Sequence, residues 1–285
     1  LTSTALLANK IELGNSKNTG AQAAFAQASQ RSIIGVSTLL FAVSALVTVL
    51  WCNSMSAMGE MRMPGDWTMS MAWMHMPGQS WPGAMASFVG MWVLMMVAMM
   101  MPSHVPMLLR YRQAVGMTGT RHAGLLTALL SVGYFSVWIG VGIVVYPLGV
   151  ALAAVEMRSY ALARAVPIAV GVVVLLAGAL QFTSWKVRHL VYCREASDHG
   201  LRLAANTAGS WRHGIRLGFR CLFACANLTV ILLVVGVMDL RAMVIVTTAI
   251  TAERLVHAGE GAARGAGFVA AGAGLILIAR AAALR

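Results

Sequence analysis

Charge is what this chain has least of. Asp, Glu, Lys and Arg make up 11% of its 285 residues, and only nine residues are acidic. Hydrophobic residues account for 59% and mean hydropathy is +0.76, which excludes an ordinary soluble globular domain. Other absences narrow the field. There is no Gly-x-x-x-x-Gly-Lys-Ser/Thr run, so no P-loop. There is no Cys-x-x-Cys-His, so covalent haem attachment is excluded. The last apolar segment carries no central Lys, which argues against a retinal Schiff base. No internal repeat is visible. Residues 1–30 are small and polar and read as a surface-lying arm rather than a removable targeting peptide.

What is present is a series of apolar segments of about 20 residues, each long enough for a hydrocarbon core of roughly 30 Å. They read as Ile33–Cys52, Ala84–Leu108, Ala123–Leu148, Ala165–Trp185, Ile215–Met238, Leu240–Val256 and Ala266–Ala283. The fold class expected is therefore all-α: a polytopic membrane bundle of about seven helices over residues 31–285. An external loop spans 53–83 and an inner connection spans 186–214. A net charge of +12 would suit nucleic acid, but its distribution says otherwise. With the N-terminus inside, fifteen Lys and Arg fall on inner segments, among them Arg110, Lys186, Arg220 and Arg254, against six outside. That is the positive-inside signature of a plasma-membrane protein facing anionic lipid, and seven spans put the C-terminus outside. Short loops elsewhere favour one compact bundle.

Methionine is the conspicuous excess. Sixteen of twenty lie between Met55 and Met107, where an even spread would place about four. The external loop carries Met58, Met61, Met63, Met74, His75 and Met76, while the following helix carries Met91, Met95, Met96, Met99, Met100 and Met101. Thioethers suit Cu(I), with His and Cys as co-ligands. Methionine is also an adaptable packing residue, and a helical Met stripe is more often packing than ligation. Met91, Met95 and Met99 share one helical face, and Met96, Met100 and His104 share the next. Pro102 interrupts the hydrogen-bond ladder near the inner end.

Of four cysteines, Cys221 and Cys225 stand at i and i+4 on one helical face. Cys193 lies on the same inner side, and Cys52 has no evident partner in the sequence. Thiols on the inner side stay reduced, so disulfides are not expected. Buried apolar packing competes with ligation for the i, i+4 pair. Gln181, Lys186 and Glu253 are assigned to the same inner level, and an intramembrane carboxylate calls for a partner cation.

The blocks Met96-Val-Ala-Met99-Met100-Met101-Pro102, Leu180-Gln181-Phe-Thr183-Ser-Trp-Lys186 and Cys193-Arg194 resemble bacterial membrane proteins of the DUF2182 type. So do Gly214-Ile-Arg-Leu-Gly218-Phe-Arg-Cys221-Leu-Phe-Ala-Cys225, Gly236-Val-Met238-Asp239 and Glu253. The resemblance covers roughly residues 84–260 and implies a metal-binding integral membrane protein of the bacterial inner membrane. The chain departs from the pattern at Ala224, where the family has a second adjacent cysteine, and at Asn227, Leu228 and Thr229.

Together these readings give a membrane protein that handles or delivers metal and is not itself a catalyst. Copper ion is the expected cargo, with zinc the other candidate. The external loop collects Cu(I), and Cys193, Cys221 and Cys225 with Met100 or His104 form an inner site. Partners expected are the lipid bilayer, other membrane subunits or a copper enzyme. The competing reading is an accessory structural subunit of a larger membrane complex, with no metal of its own.

Overall fold

A computed structural model describes residues 2–57, 61–63, 67–70, 73, 78–117, 122–199, 206–256 and 259–283. The described residues form an all-α bundle with one small hairpin. The helices are α1 (Thr2–Ala57), α2 (Trp81–Met117), α3 (Ala123–Arg158), α4 (Tyr160–Leu180), α5 (Ser184–His199), α6 (Thr207–Val235), α7 (Leu240–Leu255) and α8 (Gly259–Ala283). Six of them are long and apolar enough to cross a membrane, and their apolar stretches run over Gln30–Met55, Trp81–Val115, Ala123–Arg158, Tyr160–Leu180, Thr207–Val235 and Gly259–Ala283. This is a multi-pass membrane protein.

The sixth expected span turns out to be the exception. Helix α7 has only 16 residues, about 24 Å at 1.5 Å per residue, short of a full crossing. Its start is set by Asp239, whose carboxylate accepts from the backbone N–H groups of Arg241 and Ala242, an N-cap. Its end carries Glu253 and Arg254, both turned into the protein rather than toward solvent.

Apolar side chains populate both the interior and the outer surface, as expected where lipid replaces water. Leu39, Leu148, Leu152, Phe268 and Val269 are all exposed. Inside, the Met stripe of α2 is fully used: Met91, Met95, Met96, Met99 and Met100 are each at most 3% exposed. They share one core with Trp92, Tyr134, Trp138, Cys221 and Cys225.

Small residues decide which helices touch. On α6, Gly214 faces the carbonyl of Leu130 and Gly133 on α3, while Gly218 faces Tyr134 and Val137. Both contacts run in the same chain direction, so α3 and α6 are parallel. Helices α4 and α8 are antiparallel, with Gly171 against Gly274, Gly178 against Ala271 and Gly267 against Gln181. A Cβ on Gly178 would come within 2.6 Å of the Ala271 nitrogen, so only glycine permits this approach.

On the outer side, Met61–Met63 (β1) pairs antiparallel with Trp67–Met69 (β2), in the register Met61↔Met69 and Met63↔Trp67. Trp67 Nε1 donates to the Ala163 carbonyl at the start of α4, 2.9 Å away. Trp73 rests on Phe88, with ring centroids 5.2 Å apart, and covers Gly149. The hairpin and Trp73 are therefore fastened onto α4, α2 and α3.

Candidate metal-handling layer

The inner half of the bundle is built around a break in the chain. Helix α4 ends in tight turns at Gln181, Phe182 and Thr183, whose N–H groups reach back to Gly178, Ala179 and Leu180. The Thr183 hydroxyl then accepts from Lys186 N at 3.4 Å, opening α5. This corner aims both Gln181 and Lys186 inward. Lys186 Nζ meets Glu253 Oε2 at 2.7 Å, with the two side chains 0% and 1% exposed. The ammonium also donates to the Ala224 carbonyl at 2.6 Å and to Asn227 Oδ1 at 3.4 Å. Gln181 Nε2 donates to Glu253 Oε1 at 2.9 Å. A buried ion pair with its remaining hydrogen-bonding capacity this well used is sustainable away from water.

The sulfur cluster lies beside it. One helical turn brings Cys221 and Cys225 Sγ atoms to 3.9 Å. Met100 Sδ is 3.9 Å from Cys221 Sγ, delivered by α2 from the opposite side. The Tyr134 hydroxyl donates to Cys221 Sγ at 2.8 Å. The His104 ring stacks on Tyr134, with centroids 4.2 Å apart. Buried to 1% exposure, it has no hydrogen-bond partner at either ring nitrogen. Pro102 lies between Met100 and His104 within α2, and its missing N–H leaves a carbonyl of the preceding turn without its helical donor.

Arg254 closes the layer. Its Nη1 donates to Ser103 Oγ at 2.7 Å and its Nη2 to Cys193 Sγ at 2.8 Å. Among the described residues no carboxylate stands within salt-bridge distance of it. Burial pushes the Cys193 thiol up, and the neighbouring Arg254 charge pulls it partly back.

Cys193, Cys221, Cys225, Met100, His104 and Pro102 thus fall within one connected region, with Gln181, Lys186 and Glu253 adjoining. Met74, His75 and Met76, like Met58, lie outside the described residues. Met61 and Met63 belong to the outer hairpin, remote from this layer. Arg254 groups with the inner-loop charges by its place in the sequence; it is instead a half-buried cation held by Ser103 and Cys193. Its signal was its position, next to Glu253 at the end of an apolar helix. Tyr134 and Ser103 had no such signal. Cys52 also gains a partner: its thiol lies 3.8 Å from Met238 Sδ. All four cysteines are free.

Among the described residues, no three His, Cys, Asp or Glu side chains are arranged to hold one metal ion. Residues 89–277, about two-thirds of the chain, match the family described as PpoB2, copper chaperone. No curated protein and no solved structure matches.

Proposed function

The chain belongs to that copper-chaperone family, and on this premise we propose that it carries Cu(I) as cargo at Met100, Cys221 and Cys225. The observation that carries the reading is the position of Cys221, within 3.9 Å of a second thiol and of a thioether from another helix. With metal–sulfur bonds of about 2.3 Å, two sulfurs 3.9 Å apart subtend about 116° at a shared ion. That angle falls between tetrahedral and trigonal, and the donors are soft, as Cu(I) prefers. His104, stacked on Tyr134, and Cys193, bonded to Arg254, flank the set without joining it. A chaperone must also let go, so two thiols and one weak thioether suit cargo better than a closed cage.

The same reading places the protein in the bacterial inner membrane, in keeping with the DUF2182-type blocks, which largely overlap the matched residues. The external methionines, with His75, supply Cu(I), and the buried methionines of α2 lie between loop and inner set. Thioethers carry no proton and bind weakly, so an ion is not trapped among them.

The test is elemental analysis of detergent-purified protein loaded with Cu(I) under reducing conditions. About one tightly held copper is expected for the parent, with loss in Cys221→Ser and Cys225→Ser. Parent protein that takes up no copper, or serine variants that keep all of it, would overturn the reading. Zinc bound in place of copper would overturn the choice of cargo.

A further inference from the structure

We propose that Arg254 makes this site selective for monovalent ions, setting Cu(I) and Ag(I) above Zn(II) by charge balance. The inference rests on the ligand set proposed above. Its basis is a count of fixed charges around a buried sulfur cluster, Met100, Cys221 and Cys225, with Arg254 half-buried beside it.

The guanidinium keeps its charge at any accessible pH. It is held by Ser103 and Cys193, counted here as a neutral thiol, and no carboxylate is paired with it among the described residues. The nearby Lys186–Glu253 pair sums to zero. Arg220 also faces Cys193 but is exposed at the surface, so Arg254 is the half-buried positive charge left without a carboxylate beside the sulfur cluster.

Loading replaces two S–H bonds, at Cys221 and Cys225, by two metal–sulfur bonds, and two protons leave to water. Two thiolates and one Cu(I) carry a net charge of −1, which Arg254 brings to zero. Two thiolates and one Zn(II) are already neutral, and Arg254 then makes the region +1. An unbalanced buried charge is costly, and the cost rises as the surroundings become less polar. Met100 is neutral in either case and does not alter the count.

The arrangement also accounts for a half-buried cation turned toward thiols rather than toward a carboxylate. A layer meant only to pack has no use for an arginine without a carboxylate. A layer meant to hold a cuprate-like anion needs one positive charge, held close but not coordinated.

Two opposite manipulations test this in detergent-purified full-length protein, competing Cu(I) or Ag(I) against Zn(II) and Co(II). Arg254→Gln removes the positive charge, and Ser103→Asp neutralises it in place. Either variant is expected to lower the monovalent-over-divalent preference by about 100-fold or more. Cobalt–thiolate absorption should appear in both and be weak in the parent. Arg254→Lys keeps the charge and should keep the preference within about 10-fold. If Arg254→Gln fails to fold, Ser103→Asp carries the same prediction with the arginine in place. A parent that binds Cu(I), with variants whose preference is unchanged, overturns the role of Arg254 and leaves the copper reading standing. A parent that binds no monovalent ion overturns the copper reading itself.

Discussion

Glu253 and Arg254 are neighbours in sequence at the end of α7, the first buried and the second half-buried, yet they belong to two different constructions. Glu253 enters a charge-matched network: an ammonium at 2.7 Å and an amide donor at 2.9 Å. Arg254 enters an open one, held by a hydroxyl and a thiol with no carboxylate beside it. A complete buried pair is architecture, since it fixes the α4–α5 corner to α7 and α6 and has no charge to offer. An incomplete one retains a charge that a ligand can use. The same helix end thus supplies a rigid support on one side and an unsatisfied centre on the other.

The largest effect should come from breaking the charge-matched network. Lys186→Met strands Glu253, and is expected to cost about 3–5 kcal/mol in detergent unfolding. Joining it with Glu253→Met should restore most of that loss, because two apolar residues replace a neutral pair. If the single variant unfolds no more easily than the parent, the pair is not a support.

Gly214→Ala perturbs the other side. Its new methyl would collide with the Leu130 carbonyl, forcing α6 from α3. A loss of about 1–3 kcal/mol is expected, together with weaker Cu(I) retention as Tyr134 leaves Cys221. An unchanged melting curve would mean that the helices can part cheaply here.

Tyr134→Phe removes only the hydroxyl that donates to Cys221, at an expected cost of about 1 kcal/mol. The Lys186 variants should lose the same stability with or without it, since the networks share no hydrogen bond. Non-additivity in a double-mutant cycle would show that the two constructions are one. Smallest of all, Trp67→Phe deletes the link from the outer hairpin to Ala163. It should cost about 0.5–1 kcal/mol and is best followed by proteolysis of the loop.

Much of this was legible before any coordinates. Helix spans follow from composition, because a bilayer leaves few alternatives to an apolar helix. Placing Gln181, Lys186, Glu253, Cys193, Cys221 and Cys225 at one level followed from alternating helix direction. Arg254 was not legible, because a basic residue at a helix end looks the same whether it faces phosphate or thiol. Nor was the pairing of Cys52 with Met238, which depends on how α1 packs beside the turn between α6 and α7. Helix α7 reads as a span by hydropathy, but its length is set by its Asp239 cap and its charged end. The methionines divided as well: Met91, Met95, Met96, Met99, Met100 and Met101 of α2 became core, while the hairpin drew Met69 under cover at 2% exposure.

The glycine contact between α4 and α8 has a consequence in time. These helices lie antiparallel and close, yet α5, α6 and α7 are synthesised between them. As the chain emerges from the ribosome, α4 enters the membrane with its small-residue face bare, and no local neighbour fills it. Only when α8 arrives does that face close, so this contact forms out of chain order. Nascent chains stalled before Gly267 should then remain open to proteases at the Gln181 corner, while chains that include α8 resist them.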